Sequence, residues 1–157
     1  MKISVTIAGE NAKESAFVVW RGFEPSIRKA AEYGYDGVEL ALKRADDIDR
    51  MQLRSWLKKY HMEVSCITTG QVFADLGLYF THPDPEKRRQ TIEVFSDLID
   101  LAGEFGGLIN AGRSRGFVGP GQTREEAEKL FVDTMQTLCD RAEKRQVQVL
   151  IEPVNRY

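Results

Sequence analysis

One predicted strand, Val147-Gln148-Val149-Leu150-Ile151-Glu152, distinguishes between the two architectures that suit this chain. Successive side chains of a strand point to opposite faces. The odd-numbered positions are all aliphatic, whereas the even-numbered positions include Gln148 and Glu152. The first face suits packing against helices, and the second suits a barrel interior with a polar site at one end. The central strands of an open sheet are instead apolar on both faces, because helices cover both.

Outward from this strand, strands alternate with helical segments along the whole chain. The predicted strands are residues 2–7, 35–42, 62–69, 108–111 and 147–152, and four helices connect them. The last helix begins with a capping box, Thr123-Arg124-Glu125-Glu126. Residues 70–83 predict a loop that is long for a strand-to-helix connection, and long loops are often functional. This order predicts a parallel α/β sheet with right-handed crossovers.

An open doubly wound sheet and part of an eight-stranded barrel both accommodate five parallel strands. The length of 157 residues favours the open sheet, since a complete barrel typically needs about 250 residues. The alternation in the first and last strands favours the barrel, and the chain has neither a dinucleotide-binding glycine motif nor a Walker sequence. We therefore expect a single domain, residues 1–157, that forms a partial parallel (β/α) barrel of about five strands and four helices.

The composition is that of an ordinary globular domain. Lys and Arg number 22 against 24 Asp and Glu, so no basic excess predicts nucleic-acid binding. No apolar run approaches the about 18 residues of a membrane span, and the chain begins with a strand pattern rather than a signal peptide. We expect a cytoplasmic protein with no nucleic-acid or membrane partner. Cys66 and Cys139 have no metal or redox spacing and are predicted to be small core residues.

In a parallel barrel, chemistry takes place at the carboxyl ends of the strands. The predicted ends carry Glu39, Gly70, the segment from Gly112 to Arg115, and Glu152. A carboxylate that points inward, as Glu152 does here, is costly to bury unless it is paired or bound to a metal. Position alone supports two interpretations of Glu152 equally: a ligand or catalyst, and a salt bridge to Arg113 or Arg115.

Three segments resemble those of a known superfamily, in matching order along the whole chain. The end of the chain, Ile151-Glu152-Pro153-Val154-Asn155-Arg156-Tyr157, resembles the Glu-Pro-Leu-Asn-Arg-aromatic segment of xylose-isomerase-like sugar phosphate isomerases and epimerases, the ketose 3-epimerases above all. The segment Gly112-Arg113-Ser114-Arg115-Gly116 is similar to the end of their fourth strand, and Tyr35-Asp36-Gly37-Val38-Glu39-Leu40 is similar to their second strand. The resemblance implies the first half of a TIM barrel.

The resemblance also implies a metal-dependent reaction. Glu152 matches the first ligand of a divalent metal (Mn²⁺, Mg²⁺, Co²⁺ or Zn²⁺) and one of two acid/base groups on opposite faces of the sugar. The metal polarises the substrate oxygens, a proton is removed, and an enediolate forms. The remaining ligands are expected on later strands, outside this chain, so the site is expected to be incomplete and the chain truncated.

The substrate implied is a sugar or sugar phosphate. Four residues are predicted to contact it: Glu39, Gly70, Arg115 and Arg156. Arg115 is as well suited to pairing with an acidic neighbour as to binding phosphate. The open edges of a half-barrel favour a homo-oligomer. Two alternatives to the enzyme are a non-catalytic sugar- or phosphate-binding module and a self-associating half-barrel.

Overall fold

The protein forms one sheet of six parallel strands with helices packed on one side. The computed structural model describes residues 1–13 and 18–153. The strand order is β2-β1-β3-β4-β5-β6. The strands are β1 (Ser4–Ala8), β2 (Trp20–Arg21), β3 (Gly37–Ala41), β4 (Glu63–Thr68), β5 (Leu108–Asn110) and β6 (Gln148–Leu150). The helices are α1 (Phe23–Glu32), α2 (Arg50–Tyr60), α3 (Gly70–Leu76), α4 (Pro85–Glu104) and α5 (Arg124–Lys144).

The two faces of the sheet differ as the alternation predicts. The outer face is aliphatic and packs against the helices, with Ile7, Leu40 and Ile109 fully buried. Burial of each such side chain contributes about 1.5–3 kcal/mol, so this face holds the helices to the sheet. The other face carries Thr6 and Glu39, which are paired in register across β1 and β3. The predicted partial parallel α/β barrel is confirmed.

The structure has one strand and one helix more than the sequence predicted. A two-residue strand, β2, pairs with Ile7 and Ala8 of β1. Helix α3 occupies half of the predicted loop 70–83, and it ends at Gly77, whose φ of 64° is left-handed. Val72 of this helix is fully buried, and the Gln71 amide donates to the carbonyl of Ala41 at 2.9 Å. The sequence did not predict α3 for two reasons. Contacts with distant segments hold this helix in place, and seven residues are too few for a helical periodicity to be recognised.

Two further details concern the cysteines and membrane spans. Cys66 is buried, as predicted, but Cys139 is exposed on α5, so its prediction as a core residue was wrong. The helix buries the stripe that contains Leu138 and Ala142 instead. Within residues 1–13 and 18–153, no helix combines the length and hydropathy required to cross a bilayer.

Candidate functional site

A cavity of about 510 Å³ opens where the inner face meets the carboxyl ends of the strands. It receives side chains from β1, β3, β4 and β5 and from the residues after β6. Three predicted site residues line it: Glu39, Gly70 and Glu152. Parallel strands end at one edge of a sheet, and for this reason residues 113 positions apart in the sequence meet here.

Glu152 lies two residues beyond the end of β6 and is exposed. Its Oε2 accepts a hydrogen bond of 3.0 Å from Nδ2 of Asn110. Among the described residues, neither Arg113 nor Arg115 forms an ion pair with it, although Arg113 lines the same cavity. The salt bridge to Arg113 or Arg115 is therefore absent within residues 1–13 and 18–153, and the Glu152 carboxylate faces the cavity.

Asn110 is a site residue that the sequence analysis missed. It ends β5, and its register partner on β6 is Leu150, so it shares the inner face with Glu152. Its Oδ1 accepts from the backbone N–H of Gly112 at 2.9 Å. The signal in the sequence was its position, since an amide at the inward-facing end of the fourth predicted strand is adjacent to the end of the fifth.

Glu39 is half-buried on β3, and the Thr6 hydroxyl donates to its Oε1 at 2.9 Å. Burial raises the pKa of the Glu39 carboxyl, and the negative charge of Glu152 raises it further, while the Thr6 hydrogen bond opposes both. Because its pKa is raised, the Glu39 carboxyl stays protonated to a higher pH than that of an ordinary glutamate. In that form Glu39 can donate a hydrogen bond to a substrate hydroxyl, and in the ionised form it can accept one.

Cys66 faces Glu39 across β3 and β4 because of a bulge in the sheet. The pairing shifts between Val38 and Glu39, so that Ser65 is the extra residue of β4. Burial, together with the charge of Glu39, raises the pKa of the Cys66 thiol to about 12. A thiol this weakly acidic is protonated at neutral pH.

Gly70 is the first residue of α3 and lines the cavity. A Cβ built at Gly70 would meet no atom within 4 Å. The glycine is therefore not required by close packing, and any side chain there would extend into open space beside the cavity. This agrees with a position that leaves room for a ligand, and substrate contact at Gly70 stays a prediction.

Arg115, one of the two predicted arginines, does not line this cavity. Arg115 lines a separate cavity of about 600 Å³ together with Phe117, Phe131 and Ile151. Arg156 lies outside the described residues. Their roles in substrate binding therefore remain predictions.

The comparison with known proteins places this geometry in a family. A family model described as a xylose isomerase-like TIM barrel matches residues 27–157. The chain belongs to this family. It is 30% identical over 141 residues to a probable ketose 3-epimerase from Synechocystis sp., a match that covers 83% of this chain and 45% of that protein.

Solved structures share the xylose isomerase-like fold. D-allulose 3-epimerase from Methylomonas sp., in complex with D-allulose, superposes with a TM-score of 0.72 at 24% identity, over 97% of this chain and 52% of that one. The 3-keto-D-glucoside 4-epimerase of E. coli gives a TM-score of 0.73 at 17% identity, over 100% of this chain and 58% of that one. The chain thus spans about half the length of these relatives, and the expected partial TIM barrel agrees with them.

Glu152 is the residue that the sequence matched to a divalent metal. Glu152 offers an exposed oxygen donor of the kind that hard cations prefer. The amide oxygen of Asn110 already accepts from Gly112. Throughout the described part of the chain, no group of three or more His, Cys, Asp or Glu side chains could hold a metal ion. Glu152 fits as one ligand, and a complete metal site needs further ligands.

Proposed function

We propose that this chain provides the first half of the active site of a divalent-metal-dependent sugar epimerase or isomerase. The observation that carries the proposal is Glu152, a carboxylate that faces a cavity at the carboxyl ends of the strands and forms no ion pair with any residue that the structure describes. Membership of the xylose isomerase-like family supports the general class of reaction. The similarity to a probable ketose 3-epimerase supports epimerisation in particular.

The reaction proposed is proton transfer at a carbon next to a carbonyl group. Glu152 removes or returns that proton and also serves as one metal ligand. When bound, the metal (Mn²⁺, Mg²⁺, Co²⁺ or Zn²⁺) polarises the carbonyl oxygen and makes the neighbouring C–H bond more acidic. The other ligands and the second acid/base group come from outside this chain, because it spans about half the length of its relatives.

The rest of the cavity binds the sugar. Glu39 hydrogen-bonds a substrate hydroxyl from the inner face, and Gly70 leaves space for the ring. Arg115 and Arg156 bind further substrate oxygens or a phosphate once the site is assembled. A structural relative crystallised with D-allulose supports a sugar of this kind, and the proposal covers free and phosphorylated sugars alike.

Solvent exchange tests the proposal directly. The complete gene product, loaded with Mn²⁺, is incubated in D₂O with D-fructose, D-allulose or D-tagatose, and deuterium at C3 is measured by NMR. We expect exchange in the wild type and a rate at least about 100-fold lower in Glu152→Gln, since a positioned acid/base group contributes that much or more. Glu143→Gln, an exposed glutamate of α5, is the matched control and should exchange at the wild-type rate.

Two outcomes would contradict the proposal. Wild-type exchange in Glu152→Gln would remove Glu152 from the chemistry. Sugar binding without exchange at any of the three substrates would indicate a non-catalytic sugar-binding module instead. The 157-residue chain is assayed in parallel, and we expect it to exchange far more slowly than the complete protein.

A further inference from the structure

The Asn110 side chain connects the sheet to Glu152. Asn110 ends β5 between Thr68 of β4 and Leu150 of β6, its register partners. Its Nδ2 donates to Oε2 of Glu152 at 3.0 Å, and its Oδ1 accepts from the Gly112 N–H at 2.9 Å. Both ends of the amide are therefore engaged.

These two contacts fix which way the amide points. If the oxygen and nitrogen were exchanged, Nδ2 would face the N–H donor of Gly112 and Oδ1 would face the carboxylate of Glu152. Two donors or two acceptors cannot hydrogen-bond each other, so only the observed orientation satisfies both neighbours. Gly112 thus aims the amide donor of Asn110 at Glu152.

The backbone of Asn110 is also held more firmly than that of Glu152. The hydroxyl of Thr69, a buried residue, donates to the Asn110 carbonyl at 2.7 Å. The next residue, Ala111, donates from its N–H to the Leu150 carbonyl at 2.9 Å and extends the pairing of β5 with β6. Glu152 lies beyond that pairing and is exposed.

We propose that Asn110 is a positioning residue that holds the Glu152 carboxylate at the mouth of the cavity. This inference rests on the function proposed for Glu152. A neutral amide restrains the carboxylate without the charge compensation that an Arg or Lys would bring. It also engages only Oε2, and within the described ranges Oε1 has no hydrogen-bond donor.

The first test asks whether the contact exists in solution. The side-chain NH₂ resonances of Asn110 are assigned in the 157-residue chain by ¹⁵N NMR and compared with those of Glu152→Gln. We expect these resonances to move, while the side-chain NH₂ of Asn11, an exposed amide after β1, stays in place. An unmoved Asn110 resonance would overturn the inference, and this measurement needs no change at Asn110.

The second test asks whether the contact matters to the site. Asn110→Ser removes the amide Nδ2 donor to Glu152 and shortens the side chain by one atom, while its hydroxyl can still accept from Gly112 as short polar side chains do in turns. In the complete gene product, we expect it to weaken the binding of Mn²⁺ alone, measured by electron paramagnetic resonance, by roughly 10- to 100-fold. We also expect kcat to fall more than KM changes, with the unfolding midpoint close to that of the wild type. Asn11→Ser should change none of these.

The two hypotheses fail in different ways. If Glu152→Gln lowers Mn²⁺ affinity and kcat but Asn110→Ser leaves both at wild-type values, the positioning role is wrong and the proposed function stands. If Glu152→Gln itself changes neither quantity, the proposed function is wrong and the positioning role falls with it. An Asn110→Ser variant that changes only the unfolding midpoint would show a structural role and overturn the inference.

Discussion

Two named neighbours, Glu152 and Thr6, shift the pKa of the Glu39 carboxyl in opposite directions, and they predict opposite effects of two substitutions. The charge of Glu152 raises the pKa of the Glu39 carboxyl, whereas the Thr6 hydrogen bond lowers it. Glu152→Gln should therefore lower the Glu39 pKa, and Thr6→Val should raise it. Both are measured from the ¹³C shift of the Glu39 carboxyl against pH. If the Glu39 pKa moved in the same direction in both variants, the opposing effects of Glu152 and Thr6 would be contradicted.

The raised pKa of Glu39 also predicts how stability depends on pH. A group whose folded pKa exceeds its unfolded value contributes stability below the unfolded pKa, which is about 4.3 for Glu. That contribution is lost as the pH rises through the folded pKa. We expect Glu39→Gln to gain stability relative to the wild type over this range and then keep a constant difference. Urea unfolding of the two proteins at a series of pH values measures this difference.

At the scale of single residues, strand alternation predicted the inward position of Glu152, because period two is a local property, whereas Glu39 was predicted from its place near the end of the second strand. Alternation did not predict Asn110, whose importance depends on register between β5 and β6. It also did not predict that Cys66 would face Glu39, because the bulge at Ser65 shifts the alternation within β4. Register and bulges are set by packing between distant segments.

The turn between α4 and β5 supplies a prediction at the scale of elements. Gly106 has a φ of +119°, and a Cβ there would overlap the backbone carbonyl of Val64. Gly34, after α1, also has a positive φ of +78°, but a Cβ there would meet no atom within 4 Å. Gly34→Ala should cost only the backbone conformation, about 1 kcal/mol.

Gly106→Ala should cost roughly 3 kcal/mol, because β4 or the turn must also move. Thermal or chemical unfolding of the two variants measures the difference. Equal destabilisation would show that the approach of this turn to Val64 is looser than the structure has it. The wild-type residue and the new side chain are the same at both positions, so the extra cost at Gly106 combines the contact with Val64 and a φ farther from the left-handed region.

Local signals predicted some elements and could not predict others. The capping box of α5 is present, with the Thr123 hydroxyl accepting from the Glu126 N–H and the Glu126 carboxylate accepting from the Thr123 N–H. It was predictable because all its partners lie within four residues. Helix α3 and strand β2 are short and are specified by contacts with the sheet, and no local pattern encodes such contacts.

At the scale of the whole molecule, apolar surface is concentrated beside the β6 edge of the sheet. Ile151 is 51% exposed, and Phe117 and Val118, in the loop before α5, are exposed beside it at the cavity that Arg115 lines. Strand β6 is the last strand of the described sheet, so one side of it offers backbone groups for pairing. An edge strand next to a contiguous apolar patch favours association.

We therefore expect the 157-residue chain to self-associate in solution, with a mass that rises with concentration in light scattering. Ile151→Lys should shift this equilibrium towards the monomer, because it places a charge within the patch. Met51→Lys is the matched control, since Met51 is 83% exposed but stands alone on α2. The larger exposed area of Met51 makes the comparison strict: if exposed apolar area alone drove association, Met51→Lys would have the greater effect. A constant monomeric mass, or equal effects of the two substitutions, would show that the β6 edge and its patch do not mediate association.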